Sequence, residues 1–162
     1  MRDLMIEELE AGKRIVAGGD EIIPGWTILT PDGAFGILTR FDPAKPEQRE
    51  YLLALIPRFI AWKSATSFML RTETWLGLEG DHSEEAVLVV GISRVERIGV
   101  IARIHRKPEL RFDPPQWVPE PYLDPIYGKL LPTGTSTVTA EEVAELALIF
   151  SDTGELPARL LN

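Results

Sequence analysis

Between Ser67 and Arg106 the sequence carries the signature of three successive β-strands. In Ser67 to Leu76, residues Phe68, Leu70, Thr72, Thr74 and Leu76 fall on one side of an extended chain and Met69, Arg71, Glu73 and Trp75 on the other. That period of two is the mark of a strand with one drier face. Ala86 to Ser93 is almost continuously apolar, as expected of a central strand covered on both sides. After the short return Arg94-Val95-Glu96, the stretch Arg97 to Arg106 alternates again, with Ile98, Val100, Ala102 and Ile104 opposite Arg97, Ile101, Arg103 and His105. These segments read as an antiparallel meander, and the rest of the chain has to pack around it.

The flanking sequence predicts what does the packing. Leu4, Met5, Leu9 and Lys13 recur near helical spacing, with Glu7, Glu8 and Glu10 toward the N-terminal half, where the helix dipole favours anions. This helix should stop before Gly18-Gly19. Trp26 to Thr30 and Ala34 to Phe41 form a hairpin around Pro31-Asp32-Gly33. From Pro46 to about Ala65, Leu52, Leu55, Ile56, Phe59 and Trp62 predict a buried helix, kinked by Pro57. Lys107 to Thr137 is rich in proline and holds Phe112, Trp117, Tyr122 and Tyr127, which points to an ordered strap laid across the domain rather than a disordered linker. Thr139 and Glu142 form a capping box, Val138 and Val143 a hydrophobic staple, and a C-terminal helix follows within residues 139–151. The expected fold is one α+β domain over residues 1–162: a mainly antiparallel sheet of about five strands with helices packed on one face.

Composition excludes several functions. There is no cysteine, which removes disulfides, zinc-thiolate centres, iron–sulfur clusters and cysteine nucleophiles, and favours an intracellular compartment. With 17 basic and 25 acidic residues the net charge is −8, which opposes general nucleic-acid binding. No stretch approaches the roughly 18 consecutive apolar residues of a membrane-spanning helix, and the acidic start lacks the form of a secretory signal. A cytoplasmic protein is the expectation, with no membrane partner. Gly18-Gly19 and Gly77-x-x-Gly80 lack the strand, loop and helix order of a phosphate cradle. Asp81-His82-Ser83-Glu84-Glu85 gathers possible metal ligands but reads as a polar connector, so no metal and no cofactor are expected.

The candidate site comes from superposing the less apolar faces of the alternating strands, which would bring Arg71, Glu73, Trp75, Arg97, Arg103 and His105 to one side. Glu73 and His105 are the candidate acid–base pair. Arg71, Trp75, Arg97 and Arg103 are candidate contacts for an anionic small molecule. The alternative reading of the same residues is a set of cross-strand ion pairs on a solvated face. Charge is also uneven: Arg94, Arg97, Arg103, Arg106, Lys107 and Arg111 form a basic ribbon, and the sequence after it is acidic, a pairing that can close within the chain or across a dimer. Pro114-Pro115-Gln116-Trp117-Val118-Pro119-Glu120-Pro121-Tyr122 has the composition of segments that dock on a partner, with Trp117, Tyr122 and Tyr127 as interaction residues, unless the rings are tucked into their own domain.

Thr72-Glu73-Thr74-Trp75, the polar connector, Glu85-Ala-Val-Leu-Val-Val-Gly91 and Ala102-Arg103-Ile104 together resemble small uncharacterised bacterial proteins, some from mobile regions, in which a strand ending in Glu-x-Trp precedes an apolar strand and a basic one. The likeness covers the middle third of the chain. It implies an α+β fold and a bacterial source and transfers no activity. The leading expectation is a non-catalytic binding or protein-interaction module that forms a homo-oligomer, specifically a dimer. The alternative is a small hydrolase-like enzyme using Glu73 and His105.

Overall fold

The structure is a computed structural model that describes residues 1–31, 33–38, 46–76, 84–123, 131, 138–144, 146 and 156–157. Its elements run α1 (Arg2–Ala17), β1 (Gly25–Thr30), β2 (Gly33–Leu38), α2 (Pro46–Trp62), β3 (Ser67–Leu76), β4 (Glu84–Ser93), β5 (Arg97–His105), β6 (Arg111–Phe112), β7 (Gln116–Pro119), a 3-10 turn (Glu120–Tyr122) and β8 (Leu156–Pro157). Residues 140–144 and 146 are helical as well. Among the described residues all strands join one antiparallel sheet of eight, in the order β6-β5-β4-β3-β1-β2-β8, with β7 paired to the same edge of β5 as β6. The fold is α+β as the patterning predicts. The additional strands are short segments of the strap and the C-terminal region, too brief to show a period.

The sheet carries a core on each face, so the helices do not share one side as expected. On one face α2 contributes Ile56, Phe59 and Ile60, which pack with Trp26, Ile28, Phe68, Leu70, Val90 and Ile92; Leu123 of the strap and Leu146 of the C-terminal helix complete that core. On the other, α1 places Met5, Leu9 and Val16 against Met69, Val87, Val89, Val100, Ala102 and Ile104. The reason lies in β4: Val87 and Val89 alternate with Val90 and Ile92, all buried, so both of its faces demand a cover.

Glycine sets how closely α1 lies. A Cβ built on Gly12 would meet Val87 Cγ1 at 2.7 Å, and one on Gly91 would meet Met5 Sδ at 2.6 Å. The helix therefore sits nearer the sheet than side chains at those positions allow. Its buried stripe is Met5, Leu9, Gly12 and Val16, a spacing of four, three and four. The capping box is formed: Thr139 N–H donates to Glu142 Oε2 at 2.9 Å, and Glu142 N–H donates to Thr139 Oγ1 at 3.2 Å. No described helix is long and apolar enough to cross a membrane.

Candidate functional site

Strand register decides which charged residues meet. In the ladders Arg71 pairs with Val89 and Val89 with Val100; Glu73 pairs with Val87 and Val87 with Ala102. Residues opposite one another across a ladder point to the same face. Arg71 and Glu73 are thus on the α1 face with Val100 and Ala102. Arg97, Arg103 and His105 are one residue out of phase with these and point to the α2 face. The superposition expected from sequence is not formed, because the ladders through β4 put Arg71 and Glu73 in phase with Val100 and Ala102 rather than with Arg103 and His105. Trp75 pairs with Glu85 in the ladder; its side chain lies outside the described ones, as do Tyr127 and the connector residues 77–83.

Each candidate cation is engaged. On the α1 face Arg71 Nη1 donates to Glu8 Oε2 at 2.7 Å, and Thr27 Oγ1 donates to Glu8 Oε1 at 2.9 Å. The ion pair is only 14% and 13% exposed. Beside it, Arg106 bridges Glu73, at 3.1 Å, and Glu85. The Glu85 hydrogen bond, reinforced by the charges of Glu85 and Glu73, holds the Arg106 guanidinium above its ordinary pKa. On the α2 face Arg103 Nε lies 2.9 Å from Glu84 Oε2, and Arg103 Nη1 lies 3.8 Å from Asp113. His105 Nε2 is 2.9 Å from Asp113 Oδ1. Glu73 and His105 therefore have separate partners on opposite faces.

Arg97 fastens the strap. Its Nη2 donates to the carbonyls of Leu123 at 2.8 Å and Glu120 at 3.3 Å. Three residues of the basic ribbon are thus paired within the chain: Arg97 with Glu120 and Arg103 with Asp113, both from the start of the acidic stretch, and Arg103 and Arg106 with Glu84, Glu73 and Glu85 of the sheet. Asp113, Glu8 and Thr27 escape sequence reasoning. Glu8 did leave a signal: it sits three residues after Met5, beside the buried stripe, where a carboxylate needs a partner.

The strap folds back on its own subunit through residue 123. Gln116 to Pro119 pair with Ile98 to Ile101, Val118 packs on the α2-face core, and Leu123 is buried within it. On this face the anchors are these aliphatic residues, and not Trp117 or Tyr122. Trp117 is 40% exposed and Tyr122 81% exposed, while Val95 in the β4–β5 turn is 95% exposed. These surfaces adjoin: Arg2 donates to Glu96, next to Val95, at 2.6 Å, and its guanidinium lies 5.1 Å from the Trp117 ring. Lys13 similarly lies 5.5 Å from the Phe112 ring. Eleven residues of helix at about 1.5 Å each and five of extended chain at about 3.3 Å each both span roughly 16 Å. The two cations of α1 therefore match the two rings of the strap along the edge.

No family model, curated protein or solved structure matches the chain.

Proposed function

We propose that this protein is a non-catalytic interaction module, cytoplasmic and bacterial, that works by protein–protein contact and first of all by forming a homodimer. One observation carries the reading. Trp117 and Tyr122 stand exposed on an ordered edge whose backbone is held by Arg97, Val118 and Leu123. An exposed aromatic on a rigid backbone loses little freedom on docking, which favours its use in a contact. The hydrolase alternative loses its support because an acid–base pair has to lie within hydrogen-bond reach of one reacting group, and the sheet stands between Glu73 and His105. An anionic small molecule is likewise not favoured, since Arg71, Arg97 and Arg103 already serve carboxylates or carbonyls.

Light scattering on the full chain at low and high salt tests the reading. Because Arg97, Arg103 and Arg106 are engaged within the chain, the expected dimer rests on apolar contact and persists at high salt. A monomer at every concentration overturns it.

A further inference from the structure

From the register of the sheet edge we infer that the partner is a second copy of this chain, docked edge to edge on β7 about a two-fold axis through Trp117. The inference rests on the homodimer reading and specifies its geometry.

In a strand the N–H and C=O of one residue point to the same side, and successive residues alternate. Ser93 N–H donates to the Glu96 carbonyl at 2.8 Å, so the even-numbered residues of β5 bond toward β4. Odd-numbered residues bond toward the strap, as the hydrogen bond from Asp113 N–H to the Arg103 carbonyl at 3.1 Å bears out. Gly99 and Ile101 are then the hydrogen-bonding positions, and their partners Val118 and Gln116 turn their backbone groups inward. Trp117 and Pro119 turn theirs outward, an arrangement that also suits a proline with no N–H to give.

Among the described residues Trp117 is therefore left with both a free N–H and a free C=O on the edge, the one arrangement that lets a residue exchange two hydrogen bonds with its own copy across a dyad. Proline stands two positions away on either side, at Pro115 and Pro119. Neither can donate, so pairing closes after a single exchange and does not propagate into a long ladder.

The chain has no cysteine, so single cysteines report this geometry without background. Facing hydrogen-bonded residues have Cα atoms about 5.5 Å apart, within the range a disulfide spans. Trp117→Cys in the full chain is expected to form a covalent dimer on mild oxidation. Gln116→Cys lies opposite Val118 of the other copy and, like the freely exposed Val95→Cys, should give severalfold less. Each variant is checked by circular dichroism, and light scattering is run on the wild type alongside. Equal crosslinking at Val95→Cys, or a wild-type dimer in which Trp117→Cys does not crosslink, overturns the two-fold edge while leaving the homodimer reading in place. A wild-type monomer overturns both.

Discussion

Consider replacing Arg71 with methionine. The methionine keeps an unbranched stem beneath Gly12, where the Arg71 Cδ already packs, but it removes the cation from Glu8. Glu8 then retains only the Thr27 hydroxyl, under a helix that leaves it 13% exposed. Stripping one partner from a buried ion pair costs roughly 3–5 kcal/mol, and the lower end applies to a pair that water still reaches in part. For a domain of this size each kcal/mol moves the melting temperature by about 2–4 °C, so Arg71→Met should melt roughly 6–12 °C lower. Glu8→Leu, which orphans Arg71, should cost a similar amount. The double variant removes both charges and should return to within about 1 kcal/mol of the wild type, because an apolar replacement of a whole pair is close to neutral. Urea unfolding of all four proteins completes a double-mutant cycle. Additive losses, or single losses below about 1 kcal/mol, refute the claim that α1 is pinned through a desolvated pair.

Other outcomes follow from the same structure. Leu123→Ala should cost about 3 kcal/mol by opening the α2-face core, whereas Tyr122→Ala, one residue earlier, should stay within about 0.5 kcal/mol of wild type in chemical denaturation. Gly12→Ala gains about 1 kcal/mol of helix propensity but drives a methyl into Val87, a stiff and fully buried neighbour; the net change measured by thermal melting should be a loss. The Glu142 carboxyl is held below the usual carboxylate range, first by the Thr139 backbone N–H, then by the Thr139 hydroxyl and Arg58. Since the folded value is the lower one, its stabilisation is fully present above the ordinary glutamate range and is lost as pH falls through the folded value. The protection of the amides across residues 140–144, taken relative to their intrinsic exchange at each pH, should fall on acidification, and Glu142→Gln should flatten that dependence.

The strands from Ser67 to His105 were readable because each is long enough to show its period, and the capping box at Thr139 because it is a local pattern. What a strand shows less readily is phase relative to its neighbour. Within β3 the alternation of Phe68 and Leu70 with Met69 and Arg71 is correct, and within β5 so is that of Val100 and Ala102 with Arg103 and His105. Joining the two needs the register through β4, and β4 is apolar on both faces and indifferent to a shift by one. That indifference is why Glu73 and His105 fall on opposite sides. The edge strands β6 and β7 escaped for another reason. They are two and four residues long, bounded by prolines, and exist because β5 offers a bare edge at a distance in sequence. The roles of Trp117 and Tyr122 were foreseeable as a choice between tucked and exposed, and the choice went to exposure because Val118 and Leu123 beside them supply the apolar anchors.

The central claim concerns the outer edge of β7, and the amide of Trp117 reports on it most directly. In an isolated subunit that N–H faces solvent, while in the two-fold pair it is hydrogen-bonded to a second copy. Hydrogen exchange measured across a dilution series should show the Trp117 amide slowing as concentration rises, in step with the dimer fraction and unchanged by salt, while the Val118 amide stays protected throughout. Fast exchange at Trp117 at every concentration, in a sample that light scattering shows to be dimeric, would contradict the edge as the contact surface.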